Sequence, residues 1–208
     1  MLTVHNFTYG LLTPALAYLM SCLGAFLGLR CTTRARAHQG PARARWLLLA
    51  GVSIGTTGIW VMHFIAMLGF TIPGQTIHYN VPVTILSLLV AVAIVCVGLL
   101  IVGLGPEGYG SLLLGGLVTG IGVAVMHYTG MAAMRMYSAS GPSGMVMGST
   151  GGATAESFLL PLILGISVVT FALTATVVLS PTDAEIRSER ALMERIDRLH
   201  SESRLPAR

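Results

Sequence analysis

Long apolar runs separated by short polar breaks dominate the chain. Five of them, about residues 11–29, 46–70, 82–104, 110–134 and 157–180, have the length and hydropathy of bilayer-crossing helices, for which about 20 apolar residues suffice. The breaks hold residues that end helices. Pro82 opens the third run, Gly105-Pro106-Glu107-Gly108 spells a tight turn before the fourth, and Ser180-Pro181 closes the fifth. Gly24/Gly28, Gly51/Gly55 and Gly116/Gly120 stand four apart, a spacing that lets helix backbones approach closely. The pattern predicts an all-α fold, a polytopic membrane helix bundle of about five transmembrane helices.

After Pro181 the pattern becomes that of a short water-facing helix. Thr182 and Glu185 fit a capping box, and Asp183/Arg187, Arg190/Glu194 and Glu194/Arg198 stand at i,i+4 spacing. Leu192, Met193, Ile196 and Leu199 give it an apolar stripe, suited to pairing with another helix or lying on the membrane surface; a frayed tail is the alternative. The chain therefore divides into a membrane domain, 1–180, and a charged cytoplasmic tail, 181–208.

Composition agrees. Of 208 residues 54% are hydrophobic and 10% charged, with no Lys, whereas a soluble domain carries about 25% charged residues. The net charge of +4 does not mark a nucleic-acid partner. It resolves into five Arg between Arg30 and Arg45, a balanced tail of six Arg and six acids, and Glu107, Arg135 and Glu156 between them. The Arg-rich loop should stay cytoplasmic, which sets the N-terminus outside, the tail inside, and loops 71–81 and 135–156 outside, in a multi-pass protein of the cell membrane. Cys22, Cys31 and Cys96 lie in or beside apolar runs and imply no disulfide framework. The N-terminus lacks a basic stretch before its apolar run, which argues against a cleaved signal peptide.

Sliding the chain on itself by 64 residues lays Gly58-Ile59-Trp60-Val61-Met62-His63-Phe64-Ile65-Ala66-Met67 over Gly122-Val123-Ala124-Val125-Met126-His127-Tyr128-Thr129-Gly130-Met131. Met-His-aromatic-x-x-Met is kept in both, and Gly51 falls on Gly115. His5-Asn6-Phe7 and His78-Tyr79-Asn80 precede the first and third runs, so the repeat is a two-helix unit: an outer His, a helix going in, and a helix coming out that bears Met-His.

His63 and Met67 share a helix face, as do His127 and Met131, with Met134 one turn on. Both His stand about seven residues from the outer helix ends, about 10 Å deep at ~1.5 Å per residue. Two repeats side by side would gather two imidazoles and several thioethers, including those of Met62 and Met126, with His5 and His78 covering them. A lone intramembrane His is commonly a packing residue, but polar groups in a bilayer are costly and usually functional, and two copies at one depth favour a ligand role. Eight of the eleven Met lie in the outer half, and imidazole with thioether suits copper, Cu(I) above all. Haem with His63 and His127 as axial ligands is an alternative. So is a small transporter, although both repeats run the same way and no intramembrane carboxylate offers ion coupling. No nucleophile with a base and orienting acid stands out, Glu107 and Glu156 fall on opposite sides of the membrane, and Gly148 to Gly152 lacks the context of a phosphate loop. The expected protein is not an enzyme.

Met126-His127-Tyr128-Thr129 spells the motif that names the MHYT family of bacterial integral-membrane sensor domains, and Met62-His63-Phe64-Ile65 is similar to it. The resemblance covers about residues 5–180. It implies a sensor of oxygen, carbon monoxide, nitric oxide or redox state acting through copper near the outer face, in a family often fused to cyclic-di-GMP enzymes or histidine kinases. Against the family's usual three copies and output domain, this sequence is read as holding two copies and no output domain, so the expectation is that two motifs suffice, that a homo-oligomer completes the site, or that sensing has decayed, with a separate cytoplasmic signalling partner reached through the C-terminal helix.

Overall fold

The computed structural model describes residues 11–69, 75–138, 153–179, 187–189, 191–196 and 198. Among the described residues, five helices are long and apolar enough to cross a membrane: α1 (Leu12–Arg36), α2 (Gly40–Leu68), α3 (Val81–Leu104), α4 (Tyr109–Ala132) and α5 (Leu160–Leu179). The bundle is the expected all-α membrane fold, with one difference at its arginine end. α1 and α2 run through the Arg-rich stretch and leave only residues 37–39 between them. Arg and Ala are strong helix formers, so the helices outlast their apolar runs. The turn closes at Gly40 with φ of 58°, a conformation that glycine adopts without strain.

α2 is not uniform. Gly40–Ser53 and Met62–Leu68 are α-helical, while Ile54–Val61 between them is a π-helix, a wider turn often found at functional sites. α3 begins with Pro82 in its first turn and Asn80 as its cap, the Asn80 side chain accepting the Val83 N–H at 3.1 Å.

At the motif end of the bundle, the stretches expected to be plain loops form a small antiparallel sheet in the order β2-β1-β3: β1 (Gln75–Tyr79), β2 (Met134–Ser138) and β3 (Ala153–Thr154). The register sets His78 opposite Arg135 and Thr154, and Tyr79 opposite Met134. The Asn80 N–H donates to the Ala133 carbonyl at 2.8 Å, which ties the sheet to the end of α4.

The main core, Trp60, Val61, Phe64, Tyr79, Ala91, Met126, Leu159 and Ile163, lies under this sheet. Close backbone approaches hold the helices around it: Gly24 lies on Gly58, Gly51 on Cys96, and Gly98 on Gly115. Buried hydroxyls add links. Thr57 and Thr170 hydroxyls hydrogen-bond at 2.5 Å, and the Trp60 indole donates to Ser87 Oγ at 2.9 Å. The result is asymmetric: 61% of the most apolar stretch of α2 is buried, against 17% for α4, which packs along α3 and touches β2.

Candidate functional site

The two repeat histidines meet. His63, at the start of the α-helical end of α2, and His127, late in α4, have ring centroids 5.0 Å apart in an edge-on arrangement. The remaining surroundings of the two rings differ. His63 is only 9% exposed and stands edge-on to Phe64 at 5.0 Å; Phe64 in turn contacts Trp60 at 4.5 Å and Tyr79 at 6.0 Å. His127 is exposed on α4, with Tyr128 at 5.5 Å.

Nε2 of His63 is buried with no hydrogen-bond partner among the described residues. It faces α4 at Gly130, where an added Cβ would come within 3.0 Å of it. Gly130 matches Ala66 in the other repeat, so the second copy lacks a methyl at the one place where the first copy's imidazole must fit. A buried nitrogen without a partner is costly, and the ring that bears it lies edge-on to a second imidazole.

The methionines are distributed unequally. Met126 is in the core with Trp60, Phe64 and Tyr79. Met62 and Met67 are half-buried on α2, and Met131 is exposed on α4, 37% accessible. Met134 packs against the core from β2. His78 is half-buried in β1, where side chains alternate between faces. Its neighbour Tyr79 is the one that reaches Phe64, so the pleat turns His78 to the opposite face of the sheet. Burial pushes the Tyr79 phenol up to about 12, which keeps it neutral beside Phe64. His5 lies outside the described residues. Among the described residues no group of three or more His, Cys, Asp or Glu comes together, so any ion held here would take two imidazoles and draw on thioethers. Such a set fits a soft, low-coordinate cation. Gly130, Trp60 and Tyr79 were not singled out as site residues from sequence; the Ala66/Gly130 difference within the aligned repeats was the available signal for the first.

Residues 57–116 and 120–188 each match MHYT, the bacterial signalling protein N-terminal repeat. The chain belongs to the MHYT family. Each MHYT repeat opens in a motif-bearing helix and continues into the next, so the matched unit is offset from the helix-in, helix-out unit read above, and α1 precedes both copies. A cyclic di-GMP phosphodiesterase, NbdA, of Pseudomonas aeruginosa is 38% identical over 132 residues, 64% of this chain and 16% of that protein. An uncharacterized signaling protein of Caulobacter vibrioides is 40% identical over 113 residues, 54% of this chain and 14% of that one. The bifunctional diguanylate cyclase/cyclic di-GMP phosphodiesterase MucR of P. aeruginosa is 35% identical over 129 residues, 62% of this chain and 18% of it. The chain thus spans about one-sixth of the length of the curated relatives it matches. No solved structure matches it. MHYT membership and five candidate spans make this a multi-pass membrane protein of the signalling class.

Proposed function

We propose that this MHYT protein is a membrane sensor in which His63 and His127 hold copper near the outer face, with Met67 and Met131 one turn beyond them. Copper there would supply a redox-active centre open to diatomic gases, which makes oxygen, carbon monoxide, nitric oxide or redox state the candidate signal. The observation that carries this reading is that His63, whose buried Nε2 has no partner among the described residues, has its ring centroid 5.0 Å from that of His127. Phe64 and Gly130 hold the first imidazole, and the tail helix, whose Leu192, Met193 and Ile196 are exposed, is the surface through which a cytoplasmic partner would be reached.

Haem held by both imidazoles is not carried forward. For both imidazoles to hold a haem the rings would have to stand apart, whereas here they lie edge-on with centroids 5.0 Å apart. A transporter has no support from the site either, since among the described residues α2 and α4 bear no carboxylate.

The test is metal content. Protein purified from copper-supplied membranes should carry copper, and His63→Leu or His127→Leu should each lose most of it, because one helix alone offers too few ligands. His38→Leu should keep it, since His38 bonds the Arg34 carbonyl at the other end of the bundle. A native protein free of copper, or two single variants that keep all of it, would overturn the reading.

A further inference from the structure

One face of α2 changes character along its length. Ala42, Arg45, Leu49, Val52 and Thr56 follow at intervals of three and four, which places them on one stripe. At the arginine end, Ala42, Arg45, Trp46 and Leu49 line a hollow of about 500 Å³ together with His38 from the turn before α2. Further along, Leu49, Val52 and Thr56 form one wall of a crevice of about 340 Å³, and Pro161, Gly165, Val169 and Leu173 of α5 form the other. Leu49 lines both, so the two spaces adjoin.

They suit different chemistry. The crevice is apolar, and its hydroxyls are turned to the protein: Ser53 donates to the Gly24 carbonyl at 3.3 Å, Thr56 to the Val52 carbonyl at 2.7 Å, and Thr170 bonds Thr57. What lies there is therefore hydrocarbon. From Pro161 to Leu173 the crevice follows α5 for ~18 Å at ~1.5 Å per residue, enough for an acyl chain crossing one leaflet of a core about 30 Å thick. The hollow is basic. Arg45 is exposed at its edge, and Arg34 lies over the Trp46 ring. No acid precedes Glu107 in the chain, and Glu107 lines a separate hollow with Ile101 and Leu114. A guanidinium pairs with phosphate oxygens, and a tryptophan favours the level of the lipid headgroups.

We propose that this face of α2 binds one anionic phospholipid of the surrounding bilayer, its phosphate against Arg45 in the hollow and an acyl chain in the crevice between α2 and α5. Only a ligand with a charged head and a hydrocarbon tail uses both spaces at once. A free phosphate would occupy the hollow alone, and an apolar molecule the crevice alone. Net negative charge favours an anionic over a zwitterionic head beside these arginines. The site lies away from the histidine pair and stands independently of the copper reading.

The test counts retained lipid. The full chain, extracted from bilayers of equal parts phosphatidylglycerol and phosphatidylcholine and weighed intact by mass spectrometry, should keep one phosphatidylglycerol in preference to phosphatidylcholine. Arg45→Gln should lower that retention about fivefold, the effect of one basic residue at an anionic surface. Arg36→Gln, which removes the same charge from an exposed position outside the hollow, should not. Gly165→Phe, where an added Cβ meets nothing within 4 Å, should fill the crevice and lower retention as well, with helix content by circular dichroism unchanged. Equal losses in Arg45→Gln and Arg36→Gln would leave only diffuse attraction and overturn the site. Retention that survives Gly165→Phe and is displaced by inorganic phosphate would make the hollow a free-phosphate site and overturn the lipid. A native protein that keeps neither lipid, or both equally, overturns the proposal outright.

Discussion

At Gly130 the absence of one methyl group lets two helices share an imidazole. An added Cβ would stand 3.0 Å from His63 Nε2 and 3.4 Å from Phe64 Cζ, so the ring would have to retreat by a few tenths of an ångström. Gly130→Ala should leave folding unharmed, because alanine favours a helix by about 1 kcal/mol over glycine. Copper affinity should nevertheless fall ~10-fold, the lower end of what disturbing a ligand's supporting shell costs. Competition with a Cu(I) chelator measures the affinity and thermal unfolding the stability; unchanged affinity would mean that the ring's position does not matter. The histidine pair was legible as a repeated Met-His motif, but its support was not. Spacing tells which residues share a helix face, and it does not tell that Tyr79 rather than His78 reaches Phe64.

Between elements, the two repeats are near copies in sequence and unequal in structure. The first motif sits in α2, whose π-helical stretch Ile54–Val61 crosses the middle of the bundle, and Trp60 there is wholly buried. Its indole donates to Ser87 Oγ on α3, and Ser87 donates in turn to the Thr84 carbonyl at 2.7 Å. The second repeat has Ala124 in place of Trp60 and lies at the edge. Removing the Ser87 hydroxyl should strand a buried N–H, so Ser87→Ala should destabilise the bundle by about 0.6 kcal/mol, the average for interhelical hydrogen bonds in membranes, and by no more than ~1.7 kcal/mol, their maximum. In the Trp60→Phe background the same change should cost less, and a double-mutant cycle on detergent-driven unfolding would measure the coupling. Equal costs in both backgrounds would show that the bond contributes nothing.

Across the whole molecule, the two ends are built from different materials. The arginine end is tied by Arg34, whose guanidinium lies 5.3 Å over the Trp46 ring and donates to the Val177 carbonyl at 3.0 Å, so α1, α2 and the last turns of α5 are linked where the chain leaves the bundle. The motif end is a sheet over an aromatic core. We expect the arginine end to be cytoplasmic under the positive-inside rule. Reporter fusions after Arg45 and Arg208 should then read as cytoplasmic and fusions near Gln75 and Gly144 as external. A cytoplasmic signal at Gly144 would overturn this orientation and the outer position of the copper site with it.

Hydropathy and composition alone determined that the chain carries five stretches long and apolar enough to cross a membrane as helices, the number found among the described residues, because length and apolarity decide partition into lipid before any helix meets another. Self-comparison likewise revealed the doubled motif, since a repeat is a property of order along the chain. The tertiary structure decided the rest. Which repeat is central and which peripheral, where α2 widens into a π-helix, how the motif-end stretches pair as strands, and which glycines are occupied all depend on which faces touch. The boundary at Gly40 shows the same division, since there the helix runs beyond its apolar stretch. His63 and His127 look equivalent as letters; they differ because packing buries one and leaves the other on an open face.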